Sequence, residues 1–191
     1  MLVMTCQILF LGAPLFLAAI VHGFCMKHGW LHRLKRPIDF GKSYRGRRIF
    51  GDHKTWRAPV VYVFTCTLGA VIQAWLQSGN YFPEWLFLVD YPRQSYFIGI
   101  LLGLGMTLGE LPNSFLKRQL GVGPGMKKGG PLGVAFFLFD QVDLAVGIWV
   151  FLFFVIRPPL SLVAWSFLIT LLLHVGISGA GYLLGMRETI L

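Results

Sequence analysis

Five apolar stretches, near residues 3–24, 58–77, 94–111, 132–155 and 160–185, are each close to the roughly 20 residues that an α-helix needs to cross a bilayer. In hydrocarbon every backbone N–H and C=O must be bonded within its own segment, so such runs fold as spanning helices. The expected fold class is all-α: a polytopic integral membrane protein with about five transmembrane helices and two cytoplasmic polar loops, near 25–57 and 112–131. Residues 1–191 then form a single transmembrane domain. Composition excludes the alternatives, because 55% hydrophobic and 13% charged residues suit neither a water-soluble globule nor a disordered chain. Cys6, Cys25 and Cys66 are odd in number and lack metal-ligand spacing, so they read as small apolar side chains. The first run has no Lys or Arg before it and a strongly basic stretch after it, the reverse of a signal peptide, and is expected to stay as a helix. Residues 83–91 are apolar but too short to cross. Bounded by Pro83 and Pro92, they are expected to rest at the interface or re-enter it.

The net charge of +9 is unevenly placed. Ten Lys/Arg lie in 27–57, four in 117–128 and one, Arg187, in the tail, against Arg93 and Arg157 on the other side. Positive charge concentrates on the cytoplasmic side of membrane proteins. This predicts a multi-pass protein of the plasma membrane with its N-terminus outside, and with its C-terminus, both polar loops and any active site facing the cytoplasm.

The first loop, 37–57, reads PIDFGKSYRGRRIFGDHKTWR and has no helical or alternating apolar period, so an ordered loop is expected. A basic juxtamembrane segment can serve topology and anionic headgroups alone. Here Lys42, Arg45, Arg47, Arg48, Lys54 and Arg57 are interrupted by Gly41, Gly46 and Gly51. Glycines let a backbone approach closely and arginine forks grip phosphate oxygens, a combination suited to a polyanion such as a nucleoside triphosphate. Asp39 and Asp52 are odd choices for membrane adhesion; they hold a metal or orient an arginine. Trp56 suits an interfacial anchor or a cover for a base. A Walker loop does not match, because two residues separate Gly51 from Lys54-Thr55.

The third span ends in GELPNSFLKR (109–118), where Glu110 needs a partner or a metal and Pro112 suggests a helix break. The glycine-rich basic stretch 121–133 follows. Asp140 and Asp143 then stand inside the fourth apolar run, where an unpaired charge costs on the order of 2.5–3.5 kcal/mol near a helix centre. Three residues apart, they share a helix face. Asp140 lies about 12 Å in from Leu132, at 1.5 Å per residue, within reach of water. Pairing with loop cations and a cation path through a transporter are the competing readings of this pair.

Taken together, residues 37–57 and 109–147 resemble the membrane-embedded cytidylyltransferases that make CDP-activated lipids, and within them the CDP-archaeol synthase branch. The matching blocks are PIDFGK, GRRIFGDHKTWR, GELPNSFLKRQLG and DQVDLAVG, about 60 residues in matching order. This chain has Gly109-Glu110 where the family commonly has Gly-Asp. Lys127-Lys128 stands where related CDP-diacylglycerol synthases carry Lys-Asp, and the stretch from Arg118 to Asp140 is longer than in the archaeal branch. These departures bear on substrate identity more than on reaction class.

The resemblance implies a CTP-dependent transfer in which a phosphatidic-acid-like lipid phosphate attacks the α-phosphorus of CTP, releasing pyrophosphate and leaving a CDP-lipid for phospholipid biosynthesis. It implies Mg²⁺ as cofactor, held by Asp140 and Asp143 with Glu110. Lys54, Arg48, Arg57, Lys117 and Arg118 would neutralise the phosphates. Ser114 and Thr55 would donate hydrogen bonds, while Asp39 and Asp52 shape the first loop or meet the nucleotide. Asp140, Asp143, Lys117 and Arg118 form the expected catalytic set. Expected partners are CTP, a lipid phosphate of ester or isoprenoid ether type and the surrounding lipids, with a homo-oligomer allowed and no nucleic acid. Two rivals make different predictions. A small transporter using Asp140 and Asp143 as a cation relay gives ion flux without nucleotide, and a headgroup-binding factor is indifferent to CTP. The five histidines show no HExxH spacing, and no G-x-S-x-G elbow is present.

Overall fold

The computed structural model describes residues 1–123 and 130–183. Lys127, Lys128 and Arg187, all counted among the cytoplasmic charges, lie outside the described residues. Five helices carry the fold: α1 (Leu2–Lys27), α2 (Arg57–Ser78), α3 (Tyr91–Gln119), α4 (Gly130–Leu152) and α5 (Leu160–Leu183). α1, α2 and the segment Glu84–Gln119 are long and apolar enough to cross a membrane, and shorter apolar stretches fall within α4 and α5. Phe64, Trp75, Tyr96 and Phe154 point outward, as expected where the surrounding solvent is lipid rather than water.

Small residues set how closely the helices approach. A Cβ at Gly103 of α3 would sit 2.6 Å from the backbone nitrogen of Val63, and one at Gly99 would sit 2.7 Å from that of Thr67, so α2 and α3 run antiparallel with their backbones in contact. On the opposite face of α3, a Cβ at Gly109 would lie 2.6 Å from the Asp143 carbonyl oxygen and 2.8 Å from the Gly147 Cα. Such small-xxx-small spacing supplies the close packing that holds membrane helices together where no hydrophobic force acts between them. Cys66 Sγ donates to the Pro14 carbonyl at 3.7 Å, joining α1 to α2, and Trp149 Nε1 donates to Ser166 Oγ at 2.7 Å, joining α4 to α5. The core gathers Leu11, Ala18, Cys66, Tyr91, Ile98 and Leu102 around these contacts.

One expectation is corrected. The helix break at Pro112 does not occur, since α3 continues for 29 residues to Gln119, a length of ~43 Å. Proline removes one hydrogen bond to the preceding turn, and α3 is held along its length by α2 and α4, its most extensive neighbours. The second polar loop therefore begins near Leu120 rather than at 112. The first loop contains a short hairpin. Ser43–Tyr44 (β1) and Arg47–Arg48 (β2) pair antiparallel around Arg45 and Gly46, both with positive φ (51° and 76°), as a two-residue hairpin turn requires.

Residues 83–90 form a single helical turn, Glu84–Leu86, and a short extended piece folded back on α1. Leu86 and Val89 are buried there, and Gln7 Nε2 donates to the Trp85 carbonyl at 2.6 Å. The charged loop 28–56 lies at the other end of the bundle, with the C-terminal end of α3.

Candidate active site

Once Pro112 is accommodated, Glu110, Asn113, Ser114 and Lys117 fall at i, i+3, i+4 and i+7, on one face of α3. The glycine contact between Gly109 and α4 brings this polar face against Asp140 and Asp143. Asn113 bridges the two aspartates, its Nδ2 donating to Asp140 Oδ1 at 2.6 Å and to Asp143 Oδ2 at 2.8 Å. One amide nitrogen thereby holds both carboxylates toward the same space. Lys117 Nζ reaches Asp140 Oδ2 at 2.6 Å and also lies 5.6 Å from the Phe136 ring centre. Lys54, from the first loop, forms an ion pair with Glu110.

These groups line a cavity of about 300 Å³ walled by His53, Lys54, Glu110, Asn113, Ser114, Lys117, Arg118, Asp140 and Asp143. A second cavity of about 390 Å³ lies alongside, lined mostly by apolar side chains of α1, α4 and α5, including Leu11, Leu15, Ile148 and Leu173. Glu110, Asp140 and Asp143 line both cavities, so the carboxylates stand where a polar chamber meets an apolar one.

Of the residues singled out in the sequence, Lys54, Glu110, Ser114, Lys117, Arg118, Asp140 and Asp143 converge on the polar cavity. Arg48, Asp52, Thr55 and Arg57 do not line it. Arg48 is engaged inside its own loop, Nη2 to Asp39 Oδ1 at 2.7 Å and Nη1 to Asp52 Oδ1 at 2.6 Å. Thr55 is buried at the base of the loop, where it bridges Pro37. Arg57 is buried under the loop with Nη1 3.5 Å from the carbonyls of Cys25 and Trp30. Asn113 and His53 were missed as site residues. The helical spacing of Asn113 from Glu110 and Lys117 was its signal, hidden by the assumed break. His53 had none beyond its neighbour Lys54.

Electrostatics inside the loop favour order. Burial would raise the Asp39 pKa, but hydrogen bonds from Arg48 and from the backbone of Phe50, Gly51 and Gly41 outweigh it and hold the carboxyl well below the usual carboxylate range. The bonds that Arg48 makes to Asp39 and Asp52 keep it more firmly protonated than a free arginine.

Whether the site suits a divalent cation can be judged from its donors. Among the described residues no three His, Cys, Asp or Glu side chains converge as a ready-made metal cluster. Glu110 is turned to Lys54, leaving Asp140 and Asp143 as the carboxylate pair. Asn113 Oδ1 is buried without a hydrogen-bond partner beside that pair, an oxygen left as an acceptor. Two carboxylates and an amide oxygen suit Mg²⁺, which commonly takes one or two carboxylates and completes its shell with water and substrate phosphates.

The helical bundle, with a polar and an apolar chamber adjoining at Glu110, Asp140 and Asp143, defines a membrane-embedded protein. The family model for CarS-like CDP-archaeol synthases matches residues 5–191, and the chain belongs to that family. It is 35% identical over 161 residues to the CDP-archaeol synthase of Methanoculleus marisnigri, covering 80% of this chain and 87% of the relative. It is 36% identical over 165 residues to that of Methanoregula boonei, with the same coverage, and 34% identical over 147 residues to that of Pyrococcus furiosus, covering 76% and 78%. A solved intramembrane enzyme of archaeal membrane lipid biosynthesis has the same fold, with a TM-score of 0.62 at 23% identity over 88% of this chain and 90% of that one.

Proposed function

We propose that the protein is a CTP-dependent cytidylyltransferase that converts an archaeal ether-lipid phosphate to its CDP-lipid with release of pyrophosphate. The observation that carries this reading is the shared wall of the two cavities. In this reading a water-soluble triphosphate occupies the polar chamber and the isoprenoid lipid enters the apolar one, with Glu110, Asp140 and Asp143 at the boundary that both chambers share. Family membership supplies the reaction class. A cation relay is not favoured, since it requires neither the basic loop nor the apolar chamber beside the carboxylates.

In this reaction an oxygen of the lipid phosphate forms a bond to the α-phosphorus of CTP, and the bond to the β-phosphate oxygen breaks. A phosphate largely ionised at neutral pH needs no protein base, so the protein's work is positioning and charge neutralisation. Lys54, Lys117 and Arg118 line the chamber where the triphosphate would lie and offset its charge, with Ser114 as a donor. Asp140 and Asp143, oriented by Asn113, would hold Mg²⁺, with Asn113 Oδ1 as a third donor. An ion bound there supplies positive charge to the phosphate oxygens and to the departing pyrophosphate. Glu110 aims Lys54, and Lys117 serves both Asp140 and the phosphates.

The excess of Lys and Arg at this end of the bundle supports a cytoplasmic site and an external N-terminus. CTP then enters from water and the lipid laterally from the membrane. The test is transfer from radiolabelled CTP. Label carried from the nucleotide base into an organic-extractable product, only when an ether-lipid phosphate is present, supports the reading. Label that stays in the aqueous phase with every acceptor contradicts it.

A further inference from the structure

Asp39 takes no part in the transfer described above, yet its side chain is 0% exposed. Its two oxygens accept four hydrogen bonds: from Gly41 N at 3.0 Å, Arg48 Nη2 at 2.7 Å, Phe50 N at 2.9 Å and Gly51 N at 3.0 Å. A carboxylate offers about four acceptor sites, so nothing remains for a nucleotide or an ion.

What Asp39 holds leads to both walls of the polar cavity. Phe50 gives its N–H to Asp39, and its carbonyl accepts from Arg118 Nε on α3 at 3.2 Å. Ile38, the residue before Asp39, donates its N–H to the Lys54 carbonyl at 2.8 Å. Lys54 and Arg118 therefore reach the cavity from different elements, while the groups that anchor them belong to Ile38, the chain neighbour of Asp39, and to Phe50, one of the donors to its carboxylate. The loop that makes this connection runs through left-handed backbone at Phe40, Gly41 and Gly51, with φ of 49°, 81° and 89°. Burial does little to favour that conformation at Phe40, which is 65% exposed. The turn is held by the bonds to Asp39.

We propose that Asp39 is the positioning residue of the nucleotide site: by gathering Gly41, Arg48, Phe50 and Gly51 on one carboxylate, it fixes Lys54 and Arg118 at the separation that the triphosphate requires. The assignment rests on the cytidylyltransferase reading and deepens it. It accounts for the placement of Arg48, whose charge is spent on Asp39 and Asp52 within the loop.

The experiment compares the full-length chain in detergent with Asp39→Asn, Asp39→Glu, Lys54→Ala and the Asp39→Asn/Lys54→Ala pair. It measures equilibrium CTP binding, KM for CTP, KM for the lipid acceptor, kcat, and hydrogen exchange at Phe50 and Gly51. Asp39→Asn keeps the size but replaces one acceptor by a donor and removes the charge. It is expected to weaken CTP binding and raise the CTP KM about tenfold or more, to leave acceptor KM and kcat within about threefold, and to expose the Phe50 and Gly51 amides to exchange. Asp39→Glu keeps the charge and recovers part of the CTP affinity. In the Lys54→Ala background, Asp39→Asn adds clearly less than it does in the wild type, because part of its effect acts through Lys54 and the rest through Arg118. An unchanged CTP KM in Asp39→Asn overturns the proposal. So do effects that multiply in the double variant, or a loss of kcat and acceptor affinity in step with thermal stability. A wild-type protein that transfers nothing from CTP instead overturns the cytidylyltransferase reading itself.

Discussion

Lys117 near the end of α3 is paired with Asp140 on α4, Nζ to Oδ2 2.6 Å, so the cationic end of one helix is pinned to the acidic pair of its neighbour. Replacing Lys117 with Met keeps the length of the side chain and removes the charge, leaving Asp140 with Asn113 alone. Loss of a group that stabilises developing charge costs about 2.7–4 kcal/mol in comparable sites, or about 10²–10³ in kcat. The expected outcome is a fall of that size in kcat, with unchanged helical content by circular dichroism. A variant that retains more than half the wild-type rate contradicts the role given to Lys117.

Asp143→Asn is expected to abolish turnover, to less than about 1% of wild type, while preserving membrane insertion and the α3–α4 contact. Asp140→Asn should retain residual activity that needs a higher Mg²⁺ concentration for half-maximal rate. A titration of rate against Mg²⁺ distinguishes a weakened ion site from a misfolded one. An unshifted titration in Asp140→Asn would argue against that residue as an ion ligand.

Gly109→Ala tests whether helix contact aligns the site. The added methyl would lie 2.6 Å from the Asp143 carbonyl oxygen, a backbone atom that cannot rotate away. Overpacking of this kind typically costs about 1–3 kcal/mol, so the melting temperature in detergent should fall and the activity with it. Unchanged melting and full activity would show that α3 and α4 can separate without consequence.

The buried carboxylate of Asp39 gives the loop a pH signature. Its pKa is depressed in the folded protein, so its contribution to stability is fully present above the ordinary carboxylate range and is lost as pH falls through the lower folded value. The melting-temperature gap between wild type and Asp39→Asn should therefore be constant from neutral pH down to about pH 5, and close below about pH 4. A gap that persists undiminished in strong acid would show that the charge is not what stabilises the loop.

Filling the apolar chamber should affect the lipid alone. Gly12 lines it, and a Cβ there meets nothing nearer than Phe16 at 3.9 Å, so a larger side chain has room to project into the cavity. Gly12→Leu is expected to raise the KM for the lipid acceptor about tenfold with the CTP KM unchanged. Equal effects on both substrates would place the lipid elsewhere.

Much of this architecture is legible without coordinates, because hydrocarbon imposes a length and polarity rule that apolar runs satisfy visibly. The acidic pair in α4 is legible for the same reason, as a costly exception to that rule. The end of α3 was not. Proline is a strong signal in an isolated helix, but Pro112 is carried through by neighbours that only tertiary packing supplies, and Asn113 was hidden with it. Arg48, Asp52, Thr55 and Arg57 mark a different limit. An arginine that grips an aspartate and one that grips a phosphate look alike in a basic loop, and only the fold shows Arg48 turned toward Asp39. The β1–β2 hairpin has strands of two residues, too short for any alternation to register.

The central claim is that one protein joins CTP to a lipid phosphate where the two chambers meet. The most direct test is pyrophosphate release by purified protein in detergent with Mg²⁺ and CTP, supplied with an isoprenoid ether-lipid phosphate, a diacyl phosphatidic acid, or no lipid. Release that requires both CTP and the ether-lipid phosphate, and that disappears in Asp143→Asn, is the predicted result. Folded protein that releases no pyrophosphate with any of these acceptors, or releases it equally without lipid, would contradict the account.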